Sequence, residues 1–197
     1  VLRKACERTW VRRALGRLEL IAEDLGTVTP SVAALRDRFA LPGMRVLQFA
    51  FGSDPDGSAY LPHNYSRRCV VYTGTHDNDT TVGWFRARGS RASTRTAAQI
   101  RSERDRVLRY VGTDGSEIHW DMIRIALGSV AETAIIPAQD LLGLGSEARM
   151  NMPGTVGRNW KWRLRSNALN VRIQHRLHGL TKLYGRLPLA PGREWSS

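Results

Sequence analysis

Two short stretches place acidic side chains where chemistry could use them. In "IAEDLGTVTP", residues 21–30, Glu23 and Asp24 stand at the end of an apolar run and ahead of a Thr-Pro helix start. In "VVYTGTHDNDT", residues 70–80, His76 and Asp77 follow a second apolar run. Carboxylates gathered in one cleft are what cleavage of a glycosidic bond requires. One donates a proton to the leaving oxygen, and another attacks or stabilises the cationic sugar carbon; retaining enzymes hold the acting pair about 5–5.5 Å apart. A plainer reading stands beside this one. Asp24 is a candidate for an ordinary capping or ion-paired group, and Thr75, Asp77 and Asp79 could simply satisfy the first amides of the next helix.

The elements that must position these groups are legible as alternating signals. "LELIAE" (18–23) reads as a strand, followed by Thr29 as N-cap, Pro30 at the first helical position and a helix with Val32, Leu35 and Phe39 on one side. "MRVLQFAF" (44–51) and "CVVYTG" (69–74) read as second and third strands. A basic helix is expected over about 91–111, with Ile100, Val107, Leu108 and Val111 inward and Arg95, Arg106 and Arg109 outward. An amphipathic helix over about 117–131 uses Trp120, Ile123, Leu127 and Val130. A fourth strand lies in "TAIIPAQDLL", and a loop of some twenty residues leads to a last helix around 167–184.

Strands that are apolar throughout and separated by helices indicate parallel βα units buried on both faces. The fold class is therefore α/β: about four parallel strands with flanking helices, the C-terminal half of a (β/α)8 TIM-type barrel, with residues 1–197 as a single partial barrel domain. A doubly wound sheet is the alternative, but no Gly-rich phosphate turn follows any strand. In a barrel the chemistry sits at the C-terminal strand ends, where Glu23 and Asp77 would lie.

Composition narrows the classes. No run reaches the ~18 apolar residues of a membrane helix, and Cys6 and Cys69 alone make neither a disulfide framework nor a metal-ligand spacing. A reducing, cytoplasmic setting is expected, with no metal and no organic cofactor. The net charge of +12 is carried mostly by arginine, since Lys4, Lys161 and Lys182 are the only lysines. Such charge can mean nucleic acid. The eight arginines of residues 86–109 nonetheless oppose a clear apolar stripe, the pattern of a solvated outer helix, which argues against that reading.

Taken together, "IAEDLG", "LRDRFALPGMRVLQFAF", "LPHNY", "VVYTGTHDNDT", "LGSEARMNMPG" and "NWKWR" closely resemble the amylomaltase, or disproportionating-enzyme, family of 4-alpha-glucanotransferases, from about residue 17 to 165. The resemblance implies that Glu23 is the general acid/base, that Asp77 is the acid that stabilises the transition state, and that His76 binds the same sugar. It also suggests substrate contacts at Asp54 in "FGSDPDG", at Asn159, and at His63 and Asn64; for Asn159, His63 and Asn64 the competing reading is loop-fixing hydrogen bonding. Trp84 is read as core, with Trp160 and Trp162 left open as stacking surface.

The partners implied are α-1,4-glucans and maltooligosaccharides. Hydrolysis by an α-glucan hydrolase of the amylase clan is the alternative chemistry. The family's nucleophilic Asp belongs to the strand before "AEDLG", whereas residues 1–17 hold one acid, Glu7, in a helical-looking segment. The expectation is thus of a partial barrel that needs its N-terminal half and is inactive without it.

Overall fold

The computed structural model describes residues 20–26, 28–89, 95–157 and 159–188. Three short strands, β1 (Gly43–Val46), β2 (Cys69–Tyr72) and β3 (Thr133–Ile135), form one sheet in the order β1-β2-β3. Both pairings are parallel, with Val46 beside Tyr72 and Tyr72 beside Ile135. Helices α1 (Pro30–Arg38), α2 (Thr81–Arg86), α3 (Ala97–Val111), α4 (Ile118–Gly128), α5 (Ala138–Leu141) and α6 (Val171–Leu183) flank it. This is the α/β arrangement expected of part of a barrel, with three strands among the described residues where four were expected.

The expected first strand accounts for the difference. Residues 18 and 19 lie outside the described part, and 20–25 form no strand. One ladder-like bond, Ala22 N to Pro42 O at 2.9 Å, ties this segment to the start of β1. The next amide along β1, that of Met44, is taken not by backbone but by the Asp24 carboxylate at 2.6 Å. A side chain thus occupies the position a pairing strand would need.

The run "MRVLQFAF" also divides. Only Gly43–Val46 is strand, and Leu47–Phe51 turns into a 3-10 helix with Leu47, Ala50 and Phe51 buried. Apolar residues at every position satisfy either period, so the sequence could not locate the break. β1 and β2 are largely buried, as expected, but Thr133 and Ile135 of β3 are exposed.

Helix boundaries follow local chemistry closely. Thr29 caps α1 by accepting from Val32 N, with Pro30 at its first position. Thr96 and Gln99 form a reciprocal capping box on α3, and Gly112, at a φ of 69°, closes it with the left-handed turn that glycine adopts without strain. The capping box moves the start of α3 to 97; residues 91–94, included in the expected helix, lie outside the described part. α4 ends at Gly128, leaving Val130 59% exposed instead of buried, and Asn170 caps α6 at a start later than expected.

α4 supplies the centre of the core from two sides. Ile118, Met122 and Ala126 pack with Leu47, Phe51, Val71, Trp84 and Val107, while Trp120, Ile123 and Leu127 pack under Ile173, Leu177 and Leu180 of α6. Burying a side chain such as Phe51 or Leu47 contributes about 1.5–3 kcal/mol. Trp84 is core, as expected.

Several arginines in and just before α3 hold neighbouring groups of the chain. Arg95 pairs with the buried Glu103 at 2.6 Å. Arg104 donates to the carbonyls of Phe85 and Ala87, and Arg106 to those of Phe51 and Gly52. Arg109 reaches Asp105 O. Arg106 and Arg109 are exposed, as expected, and Arg106 also holds loop carbonyls against the helix, whereas Arg95 is half-buried on Glu103 instead of pointing outward.

Candidate active site

The neighbours Glu23 and Asp24 meet opposite environments. Asp24 is buried and takes hydrogen bonds from Met44 N at 2.6 Å and Arg36 Nη1 at 2.5 Å, with Arg45 at 3.6 Å. Gly43 is required beside it, because a Cβ there would land on the carboxylate. Asp24 is thus the ion-paired structural acid. Glu23 is exposed, and its charge reaches Tyr72 at the C-terminal end of β2: burial first, and then Glu23, push the Tyr72 phenol upward.

At the end of β2 the loop 73–80 is knitted by its own short side chains. Asn78 Oδ1 accepts from Thr75 N at 2.9 Å, and Thr75 Oγ1 accepts from Asp77 N. Thr80 caps α2 through Gly83 N, and Asp79 accepts from Thr80 N and Ser146 Oγ. Helix capping is therefore done by Thr80, which leaves the Asp77 carboxylate for other partners.

Those partners come from the loop after α5. Asn151 Nδ2 donates to Asp77 Oδ1 at 2.6 Å, and His76 Nε2 lies 3.3 Å from the same oxygen. Arg149 Nη2 donates to Asp77 O, and Asn151 N to His76 O. The other carboxylate oxygen, Oδ2, accepts no hydrogen bond among the described residues. The Asp77 side chain is 45% exposed. The Trp160 ring stands 5.0 Å from that of His76 and is itself half exposed, so an aromatic surface adjoins the open carboxylate.

A cavity of about 120 Å³ opens beneath this loop, walled by Gly74, Thr75, His76, Asn78 and Thr80 on one side and by Gln139, Asp140, Arg149 and Met150 on the other. Asp140 is buried and accepts from Thr73 Oγ1 at 2.5 Å, Thr81 N at 2.7 Å and Thr81 Oγ1 at 2.9 Å. Burial pushes its carboxyl upward against the pull of these bonds. One buried acid thereby ties the end of β2 to the first turn of α2.

Of the expected site residues, His76 lines this cavity; Asp77, next to it in sequence, and Glu23, on the β1 side, are not among its walls. Asp54 is exposed, and its carbonyl closes a turn with Gly57 N. Asn159 is engaged within its own loop, accepting from Met152 N and donating to Thr155 O. His63 Nδ1 lies 3.1 Å from the hydroxyl of Tyr110, on α3, and Asn64 donates to Ser58 O. For Asn159, His63 and Asn64 the observed bonds are those of loop fixation. Arg149, Asn151 and Asp140 were not picked out by sequence. They lie in quoted motifs, but nothing in their spacing signals an approach to residues some sixty to seventy positions earlier. Among the described residues no group of three or more His, Cys, Asp or Glu is arranged to hold a metal, and no helix is long and apolar enough to cross a membrane.

Parallel strands with flanking helices, and an anchored carboxylate beside an aromatic surface in the loop after β2, are the arrangement of part of a (β/α) barrel. Comparison with known proteins makes this specific. The 4-alpha-glucanotransferase family model matches residues 2–169. The 4-alpha-glucanotransferase of Synechocystis sp. is 51% identical over 88% of this chain and 33% of its own length, and that of Thermus thermophilus 45% identical over 90% and 35%. The structure of amylomaltase from Streptococcus agalactiae in complex with acarbose superposes with a TM-score of 0.75 at 32% identity, covering 89% of this chain and 34% of that one. Amylomaltase from Corynebacterium glutamicum, at 18% identity and a TM-score of 0.67, shares the fold. The chain belongs to the 4-alpha-glucanotransferase family, and it spans about a third of the length of the curated relatives it matches.

Proposed function

We propose that this chain carries two of the three carboxylates of a 4-alpha-glucanotransferase that moves α-1,4-glucan segments between maltooligosaccharides by a retaining double displacement. Glu23 is the general acid/base and Asp77 the stabiliser; the nucleophilic Asp belongs to the barrel strand that precedes Glu23. In the first step the nucleophile's carboxylate bonds to the anomeric carbon as the C1–O4 bond breaks, and Glu23 gives its proton to the departing oxygen. In the second, Glu23 takes the proton of an acceptor 4-hydroxyl, whose oxygen attacks C1 from the same face and expels the carboxylate.

The observation that carries this reading is Asp77 itself. One oxygen is anchored by Asn151 and the other is open at a strand end, beside the His76–Trp160 surface. A carboxylate held in this way can bond to sugar hydroxyls as positive charge develops at C1, without reorganising. Water competes with the acceptor sugar for the glycosyl intermediate, and aromatic surface favours the sugar.

Product analysis on the whole protein with maltotriose tests the reading. Transfer yields a ladder of longer and shorter glucans, while an α-glucan hydrolase only shortens them. E23Q is expected to lower turnover roughly a thousandfold and D77N by a hundredfold or more, on the order of a lost electrostatic stabiliser. The 197-residue chain assayed alone is expected to show no transfer. A whole protein that turns over maltotriose normally with Gln at position 23 would refute the assignment.

A further inference from the structure

The loop that follows α5 makes three hydrogen bonds to His76 and Asp77, in the loop after β2, and two of them are to backbone. Asn151 N donates to His76 O at 3.0 Å, Arg149 Nη2 to Asp77 O at 2.6 Å, and Arg149 Nε to Asn151 O at 2.7 Å, which holds the loop's own bend. The third bond to the pair, Asn151 Nδ2 to Asp77 Oδ1 at 2.6 Å, is made to the carboxylate itself. The same loop is closed on itself by Trp160 N to Met150 O at 2.7 Å and by Asn159 to Met152 and Thr155, so Asn151 stands on a braced support.

The groups facing the Asp77 carboxylate are His76 beside it in sequence and Asn151 opposite; the nearby Arg149 spends its donors on carbonyls. We propose that Asn151 is the positioning residue of Asp77. By occupying Oδ1 it sets the rotation of the carboxylate and turns Oδ2 toward the sugar, while Arg149 sets Asn151. This rests on the reading of Asp77 as the stabilising acid. Positioning matters because a carboxylate displaced by about 1 Å from its productive place can cost on the order of a hundredfold in rate.

The test uses the whole enzyme with maltotriose, comparing N151A, N151D and D77N. N151A is expected to lower kcat roughly tenfold to a hundredfold with little change in KM, since the free carboxylate still admits substrate but is no longer aimed. N151D keeps the shape and exchanges the amide donor for a carboxyl. Protonated, that carboxyl donates the same bond; ionised, it repels Asp77. Its kcat is therefore expected to approach that of the wild type at the acid end of the working range and to fall as pH rises, while N151A stays low throughout.

A merely structural role would lower Tm in both variants and leave kcat per folded enzyme unchanged. That outcome, or a loss confined to KM, or an N151D profile parallel to wild type, overturns the proposal. An active D77N removes the reading of Asp77 on which the proposal rests. An inactive D77N with undisturbed N151 variants removes the proposal alone.

Discussion

The two ends of the sheet treat similar residues differently. At the β2–β3 end every acid has an assigned environment: Asp140 is buried among threonines, Asp79 is bound by Ser146 and Thr80, and Asp77 is held at one oxygen by Asn151. At the β1 end only Asp24 is enclosed. Glu23 is exposed, and α1, although well capped, buries none of its residues: Val32 and Leu35 are 49% and 54% exposed, and Leu20 and Ile21 are exposed too. Local signals suffice to form a helix, whereas the order of a site comes from packing around it. Asp77 is positioned by this chain's own contacts, and Glu23 lies on a face that these contacts leave open.

Mutations should expose that asymmetry, beginning with the largest effect. D140A strands Thr81 N–H and two buried hydroxyls, and is expected to cost about 3 kcal/mol of unfolding free energy by urea titration. D140N, whose amide oxygen can still accept, should cost less. The sign of the pH effect follows from the raised folded-state carboxyl: its stability contribution is full below the ordinary carboxylate range and is lost as pH rises through the folded value. D140N should flatten this part of the stability profile.

On the other side, D24A leaves Met44 N–H without its acceptor and Arg36 without its buried partner, at about 1–3 kcal/mol. A loss as large as that of D140A would remove the contrast between the ends. His119, half-buried under Gly143, provides a smaller test. Burial, the main cause, holds its imidazole below the usual value, so its contribution is present above pH ~6.5 and is lost as pH falls. H119Q should weaken the acid-side decline in Tm.

The smallest effect belongs to α1. L35A in the 197-residue chain is expected to change stability by less than about 0.5 kcal/mol, as for a surface position. A loss of about 2 kcal/mol or more, the size of a core truncation, would show that face to be covered.

Much of the framework was legible because it is written in local rules. Thr29-Pro30 started a helix, Gly112 ended one, and Cys69–Tyr72 paired in parallel because an apolar run of that length has few other uses. The errors also have physical causes. "MRVLQFAF" is apolar at every position and carries no period, so its turn into a 3-10 helix at Leu47 was invisible. The strand expected at 18–23 was displaced along its described length by a side chain, Asp24, that does a backbone's work. Arg106 faces solvent as read, but sequence cannot show that the carbonyls of Phe51 and Gly52 also lie within its reach.

The sequence by itself determined the kinds of groups available, the family and the two stretches that hold the candidate acids, since residue type, order and spacing are properties of the chain. Which of two adjacent acids is buried, which oxygen of Asp77 is engaged, and that Asn151 rather than the first turn of α2 takes that oxygen, were decided by tertiary structure alone. A hydrogen bond depends on ångström separations between residues distant in the chain, and those separations exist only once the strands and helices have packed.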